Sequence, residues 1–190
     1  MEKPADVQYP IHELLRNRWS SRAFSSRPVE PEALLSLFEA ARWSPSSSNL
    51  QPWAFVVVTR ADADRHRAFV DLLTGRNPEW AGNAPVLVLA AAKRERQPGK
   101  LNFWALYDLG QAVAHLTVQA AALGLSVRQM GGFDREKARE VFGVPAGYDP
   151  AVVIALGYRG EPDALPEDMR AGELGARSRK PLSEFVFAGR

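Results

Sequence analysis

The chain has 190 residues, of which 46% are hydrophobic and 24% charged, with a formal net charge of +2 and no cysteine. That length fits one domain able to bury a core without staples. The composition excludes disulfides and thiolate metal sites, fits a reducing cytoplasm, and gives little reason to expect a nucleic-acid partner.

Taken in chain order, residues 1–10 hold no apolar core segment, so no signal peptide is expected, and no run approaches the roughly 18 apolar residues of a membrane span. Residues 11–17 predict a short helix with Leu14 and Leu15 inward, followed by a loop over 18–29. Pro31 suits a first helical position, where its missing N–H costs nothing. Leu34, Leu35, Phe38 and Ala41 then form an apolar helical stripe up to Trp43. Residues 44–52, rich in Pro, Ser and Asn, predict a loop, and the apolar run 53–59 a buried strand. A helix over 62–73, a polar loop through Asn83 and a strand over 85–91 follow. Residues 93–100 are polar and read as mobile.

Residues 103–123 are the longest helix candidate, ended by Gly124. They are apolar on most faces, which points to a large core or a subunit interface. A strand over 125–130, a break at Gly131-Gly132, a helix over 134–142 capped by Asp134 and a strand over 151–156 complete the regular part. The tail from Glu161 is rich in proline and charge and ends in apolar Phe185-Val186-Phe187, for which a partner subunit is one cover. There is no G-x-G-x-x-G, no phosphate-binding P-loop, no H-E-x-x-H and no internal repeat. His12, His66 and His115 are too scattered to suggest a metal site.

Two constellations could carry chemistry. Arg18, Ser20 and Arg22 lie two residues apart, so an extended backbone sets them on one side. Arginine forks suit phosphate oxygens, and Arg177-Ser178-Arg179-Lys180 adds a second basic group, although a solvated charge run accounts for either cluster alone. In the segment Pro45-Ser46-Ser47-Ser48-Asn49-Leu50-Gln51, the amides of Asn49 and Gln51 offer donor and acceptor together, as the edge of a pyrimidine-like ring requires. An ordinary turn is the plainer account. Gly131-Gly132 is either a tight turn or a backbone that a flat ligand can approach closely. Without a nucleophile or triad, chemistry would be carried by a bound cofactor.

These segments give the chain its resemblance to a known family. Arg18-x-Ser20-x-Arg22-x-Phe24, then residues 41–53 (ARWSPSSSNLQPW), then Gly131-Gly132-Phe133-Asp134, then Arg177-x-Arg179-Lys180-Pro181-Leu182 occur in this order. In that order they resemble the nitroreductase family of FMN-dependent oxidoreductases. The resemblance implies an α+β fold with a mainly antiparallel central sheet flanked by helices. It implies a homodimer with FMN at the interface and a C-terminal tail exchanged between subunits.

Carried over by position, Arg18, Ser20, Arg177 and Arg179 would hold the FMN phosphate, with Trp19 between the first two, and Arg22 would sit near flavin N1 and O2 and tune the ring. Pro45, Ser46, Ser47, Asn49 and Gln51 would reach the flavin from the partner subunit. Met130, Gly131 and Gly132 would lie against the ring near N5, with Asn77 at its edge. The expected activity is ping-pong hydride transfer from NAD(P)H to nitroaromatics, quinones or similar electron-poor acceptors. Other flavoenzymes on the scaffold (a small-ring dehydrogenase, a dehalogenase) and a flavin-binding redox sensor remain alternatives. Trp19 and Gly131 depart from the family pattern, and residues 93–102 replace the helices that longer members carry over the site.

Overall fold

Seven helices and six strands alternate irregularly along the described residues, 3–187 of the computed structural model. Residues 1–2, at the start of the stretch read for a signal peptide, and 188–190 of the expected exchanged tail lie outside them. The helices are α1 (Glu13–Asn17), α2 (Pro31–Arg42), α3 (Ala63–Val70), α4 (Pro78–Ala81), α5 (Ala105–Ala122), α6 (Arg135–Phe142) and α7 (Glu167–Leu174). The strands are β1 (Trp53–Thr59), β2 (Val86–Lys93), β3 (Glu95–Gln97), β4 (Lys100–Leu101), β5 (Leu125–Met130) and β6 (Tyr148–Tyr158). The main sheet runs β1-β2-β6-β5, and every pairing in it is antiparallel.

Both faces of this sheet are covered, which explains why β2 reads as an unbroken apolar run rather than an alternation. Val86, Val88 and Ala90 meet Leu109, Ala112 and Leu116 of α5 and Leu37 and Ala41 of α2. Leu87, Leu89 and Ala91 meet Phe69, Trp80, Phe133 and Ala138 on the opposite face. Pro150 sits within β6, where it cannot donate to the ladder. The register between β2 and β6 shifts at that point, Ala90 facing Val152 and Ala91 facing Pro150, so that the sheet absorbs it as a bulge.

Several expectations need correction. Leu35 is 70% exposed and Leu15 is also exposed. The buried stripe of α2 runs through Leu34, Leu37, Phe38 and Ala41, the true i, i+3, i+4, i+7 set. The polar loop before Asn83 contains α4. Lys93 ends β2, and residues 95–101 form a small hairpin of β3 and β4, closed by Gly99 at φ +73. The charged tail contains α7, which buries Met169 and Glu173.

One feature positions the site. Residues 23–25 lie antiparallel to the end of β6, with a bridge between Phe24 and Arg159: Ser25 N donates to Tyr158 O at 2.9 Å and Gly160 N to Ala23 O at 2.9 Å. A Cβ on Gly160 would lie 2.6 Å from the backbone of Phe24, so only glycine lets the two backbones approach.

Candidate functional site

Between residues 18 and 23 the side chains alternate in burial, an alternation that ends at buried Phe24. Trp19, Ser21 and Ala23 are buried, whereas Ser20 is exposed and Arg18 and Arg22 are partly exposed. The inner row is fastened by Glu173 of α7, which is itself 1% exposed. Its carboxylate accepts the Ser21 hydroxyl, the Arg22 N–H at 3.0 Å and the Ala23 N–H at 3.3 Å. Arg128 of β5 holds the segment from the other side by donating Nη1 to Ser20 O at 2.6 Å. Trp19 is buried, with Lys3 4.4 Å and Arg159 5.1 Å from its ring centroid, and it lines the same cleft as Arg18.

Arg18, Arg177 and Arg179 converge. Burial, and then the charge of Arg179, pushes Arg18 below the ordinary arginine range. Burial, and then the charges of Arg18 and Arg179, does the same to Arg177. Partly buried guanidiniums that repel one another are a ready receptor for a dianion. Arg18 also reaches the Ser20 hydroxyl at 3.4 Å. Arg177 is fixed by donating to Lys3 O at 2.6 Å and Arg16 O at 2.8 Å, which ties the tail to the end of α1.

A second cationic spot adjoins the first. Arg22 and Arg128 are close enough for the charge of Arg22 to lower Arg128 further, after burial. The Arg128 guanidinium lies 5.3 Å from the ring centroid of Trp80. Trp80 belongs to α4, which follows Asn77, and Asn77 Nδ2 donates to Gly132 O at 3.2 Å. A Cβ on Gly132 would sit 3.0 Å from that Nδ2 and 3.1 Å from Thr74 Oγ1, whereas one on Gly131 would meet nothing within 4 Å. Gly132 is thus packed from behind and Gly131 is open in front. Met130 directs its side chain into the core at 3% exposure, so its contribution to a ligand would also be its backbone.

The structure thereby links most predicted residues in a line of neighbours: Arg177 and Arg179 with Arg18 and Ser20, Arg22 with Arg128, and, past Trp80, Asn77 with Gly132 and Gly131. The donor set fits FMN, with clustered cations at the phosphate end, a cation at mid-line and a bare backbone at the far end.

Pro45, Ser46, Ser47, Asn49 and Gln51 do not join this line. Their loop is organised internally: Ser46 Oγ accepts Gln51 N at 3.0 Å, and Gln51 Nε2 donates to Asn49 Oδ1 at 3.0 Å. It is anchored to the start of α5 through Ser47 N, which donates to the buried Asp108 Oδ2 at 3.1 Å. Arg18, by contrast, lines a cleft with Thr117, Ala121 and Gly124 at the far end of α5. Nine residues of helix, about 14 Å, separate Asp108 from Thr117. The loop holds three non-glycine residues at left-handed φ: Ser48 +52, Asn49 +54 and Gln51 +47.

Sequence reasoning missed Glu173, Arg128 and Asp108. Asp108 left a signal, a carboxylate within the apolar pattern of a buried helix. Glu173 and Arg128 left none, because their partners are 152 and 108 residues away in sequence.

Comparison with known proteins gives the family and the fold. The family model described as the nitroreductase family matches residues 15–158. A protein of Archaeoglobus fulgidus with the provisional name NADH dehydrogenase/NAD(P)H nitroreductase is 28% identical over 162 residues, covering 83% of this chain and 90% of its own. Among solved structures, an oxidoreductase containing FMN superposes with a TM-score of 0.91 at 34% identity, covering 97% of this chain and 94% of that one. A nitroreductase family protein of Clostridium difficile 630 superposes with a TM-score of 0.70 at 25% identity, covering 92% and 95%.

Proposed function

The chain belongs to the nitroreductase family, and on that premise we propose that it is an FMN-dependent oxidoreductase that takes hydride from NAD(P)H and passes it to flat, electron-poor acceptors such as nitroaromatics or quinones. The observation that carries the reading is the line from Arg18, Arg177 and Arg179 through Arg22 to Gly131-Gly132. Its charge distribution suits a phosphate beside the clustered arginines and a planar ring beside the bare glycine backbone.

When bound, FMN supplies the two-electron hydride chemistry. The protein supplies binding, orientation and charge. Arg18, Arg177, Arg179 and the Ser20 hydroxyl hold the phosphate through charge-assisted hydrogen bonds. Arg22 sets a positive charge at the pyrimidine edge, where negative charge accumulates on reduction, and so favours the reduced form. Asn77 fixes Gly132, and Gly131 leaves one face open so that donor and acceptor use it in turn.

The working unit is a homodimer in this proposal. One chain keeps residues 45–51 at the opposite end of α5 from its own Arg18, so the loop serves the flavin of a second copy. The left-handed backbone at Asn49 and Gln51 holds their amides ready for that contact, since strain of this kind is typical of binding sites.

The test is an absorbance spectrum of the purified protein followed by anaerobic titration with NADH and with NADPH. Flavin bands that bleach on titration are the expected result. Bound flavin that neither donor reduces would favour a sensor or binding role. A colourless protein that takes up no added FMN would overturn the cofactor assignment.

A further inference from the structure

We propose that Arg128 is a second cation of the flavin pyrimidine edge, acting beside Arg22, and that buried Glu173 sets the net charge there. The inference rests on the flavin reading above.

Arg128 holds the Ser20 carbonyl through Nη1 and packs over Trp80, which in turn stacks on Phe24. As a clamp alone it would need only a neutral donor. A guanidinium in that place stands partly buried beside a like charge, which costs stability unless an anion is near. Glu173 supplies one negative charge, and its attraction partly offsets the effect of Arg22 on Arg128. Its carboxylate, however, is already engaged by the Ser21 hydroxyl and the N–H groups of Arg22 and Ala23.

Lys3, whose Nζ donates to Glu173 O, adds a third cation to Arg22 and Arg128, so the one carboxylate leaves a positive excess beneath the cofactor edge. A guanidinium has five N–H donors, and among the described residues Arg128 uses one of its nitrogens in a hydrogen bond. Its strand position also fits, because β5 runs from Arg128 directly to Met130 and then Gly131-Gly132. The same strand thus presents a charge and the backbone against which the ring would lie. A reduced, anionic ring edge would offset that positive excess.

The experiment compares wild type with Arg128→Gln, Arg128→Lys and Glu173→Gln. For each, FMN affinity is read from fluorescence titration of the apoprotein, the two-electron midpoint potential from dye equilibration, and folding from thermal melting. Arg128→Gln keeps a donor for Ser20 O but removes the charge. It is expected to lower the potential by about 30 mV or more, a tenfold loss of preference for reduced over oxidised cofactor. Arg128→Lys should retain most of the potential. Glu173→Gln keeps an acceptor for the backbone and should shift the potential upward.

An Arg128→Gln protein that binds FMN at unchanged potential would reduce Arg128 to a clamp and overturn the inference. If that variant fails to fold, an unmoved or lowered potential in Glu173→Gln overturns it equally. A wild-type protein that binds no FMN would instead sink the flavin reading itself.

Discussion

At the scale of single residues, the buried and exposed rows of residues 18–23 have separate tasks. The inner row of Trp19, Ser21 and Ala23 is committed to the fold and to Glu173, leaving Arg18, Ser20 and Arg22 as the outer row. Arg18 is held among like charges, so it offers most to an anion and least to the empty protein. Hydrogen bonds to charged groups contribute roughly 1.5–3 kcal/mol each. Arg18→Ala is therefore expected to weaken FMN binding by about 10- to 100-fold without lowering the melting temperature of the apoprotein. Fluorescence titration measures the first and a thermal melt the second; unchanged affinity would remove Arg18 from the phosphate. This outer row was legible in the sequence because an alternation of two needs only local geometry. The carboxylate that fastens the inner row was not, because α7 shows a weak pattern with just Met169 and Glu173 buried.

At the scale of elements, the loop 44–52 stores backbone strain between two rigid supports, β1 on one side and the start of α5 on the other. Each non-glycine residue in a left-handed conformation costs about 1 kcal/mol or more, less for asparagine. Ser48 has the strain without a side-chain hydrogen bond in the described structure. Replacing it with glycine removes the steric cost but adds chain entropy to the unfolded state. Ser48→Gly is expected to raise the melting temperature by about 2–4 °C for a chain of this size, equivalent to roughly 1 kcal/mol. FMN affinity should fall slightly as the loop loses preorganisation. A lower melting temperature would show that the Ser48 side chain helps to hold the loop. Elements with strong one-sided chemistry were readable: β1 and β5 match the expected strands residue for residue, and Asp134 caps α6 by accepting the Lys137 N–H. Three elements were not. Helix α4 has only four residues, α7 hides in a polar tail, and the β3–β4 hairpin looks like a solvated charge run although Pro98-Gly99 marks its turn. Strand β6 extends beyond the expected range because its bulge accommodates Pro150, a residue that normally ends a strand.

At the scale of the whole molecule, α5 decides how the parts meet. One side of it fills the core with Leu109, Ala112, Val113, Leu116 and Ala120. The other side shows Leu106 at 60% and Tyr107 at 65% exposure, and it continues through exposed Gly110 and Ala114. Phe103 at 85% and the tail residues Phe185 to Phe187 extend the same excess of open apolar surface. An all-round apolar helix was the feature of the sequence that pointed to an interface, and the structure buries only half of it. A stripe carrying Gly110 and Ala114 lets two such helices approach closely across a two-fold axis, where each residue meets its own copy or a near neighbour. The same helix holds residues 44–52 at one end through Asp108 and lies beside Arg18 at the other. In the proposed dimer, subunit pairing and completion of the flavin site are therefore one event. Ala114→Arg tests that coupling, because an exposed helical position tolerates arginine within about 0.5 kcal/mol in a lone subunit, whereas a charge buried at an interface without a partner costs several kcal/mol. Sedimentation should show a shift from dimer to monomer, and the monomer should lose its flavin on dialysis. A monomer that keeps FMN would show that one chain builds the whole site, and an undisturbed dimer would place the interface away from α5.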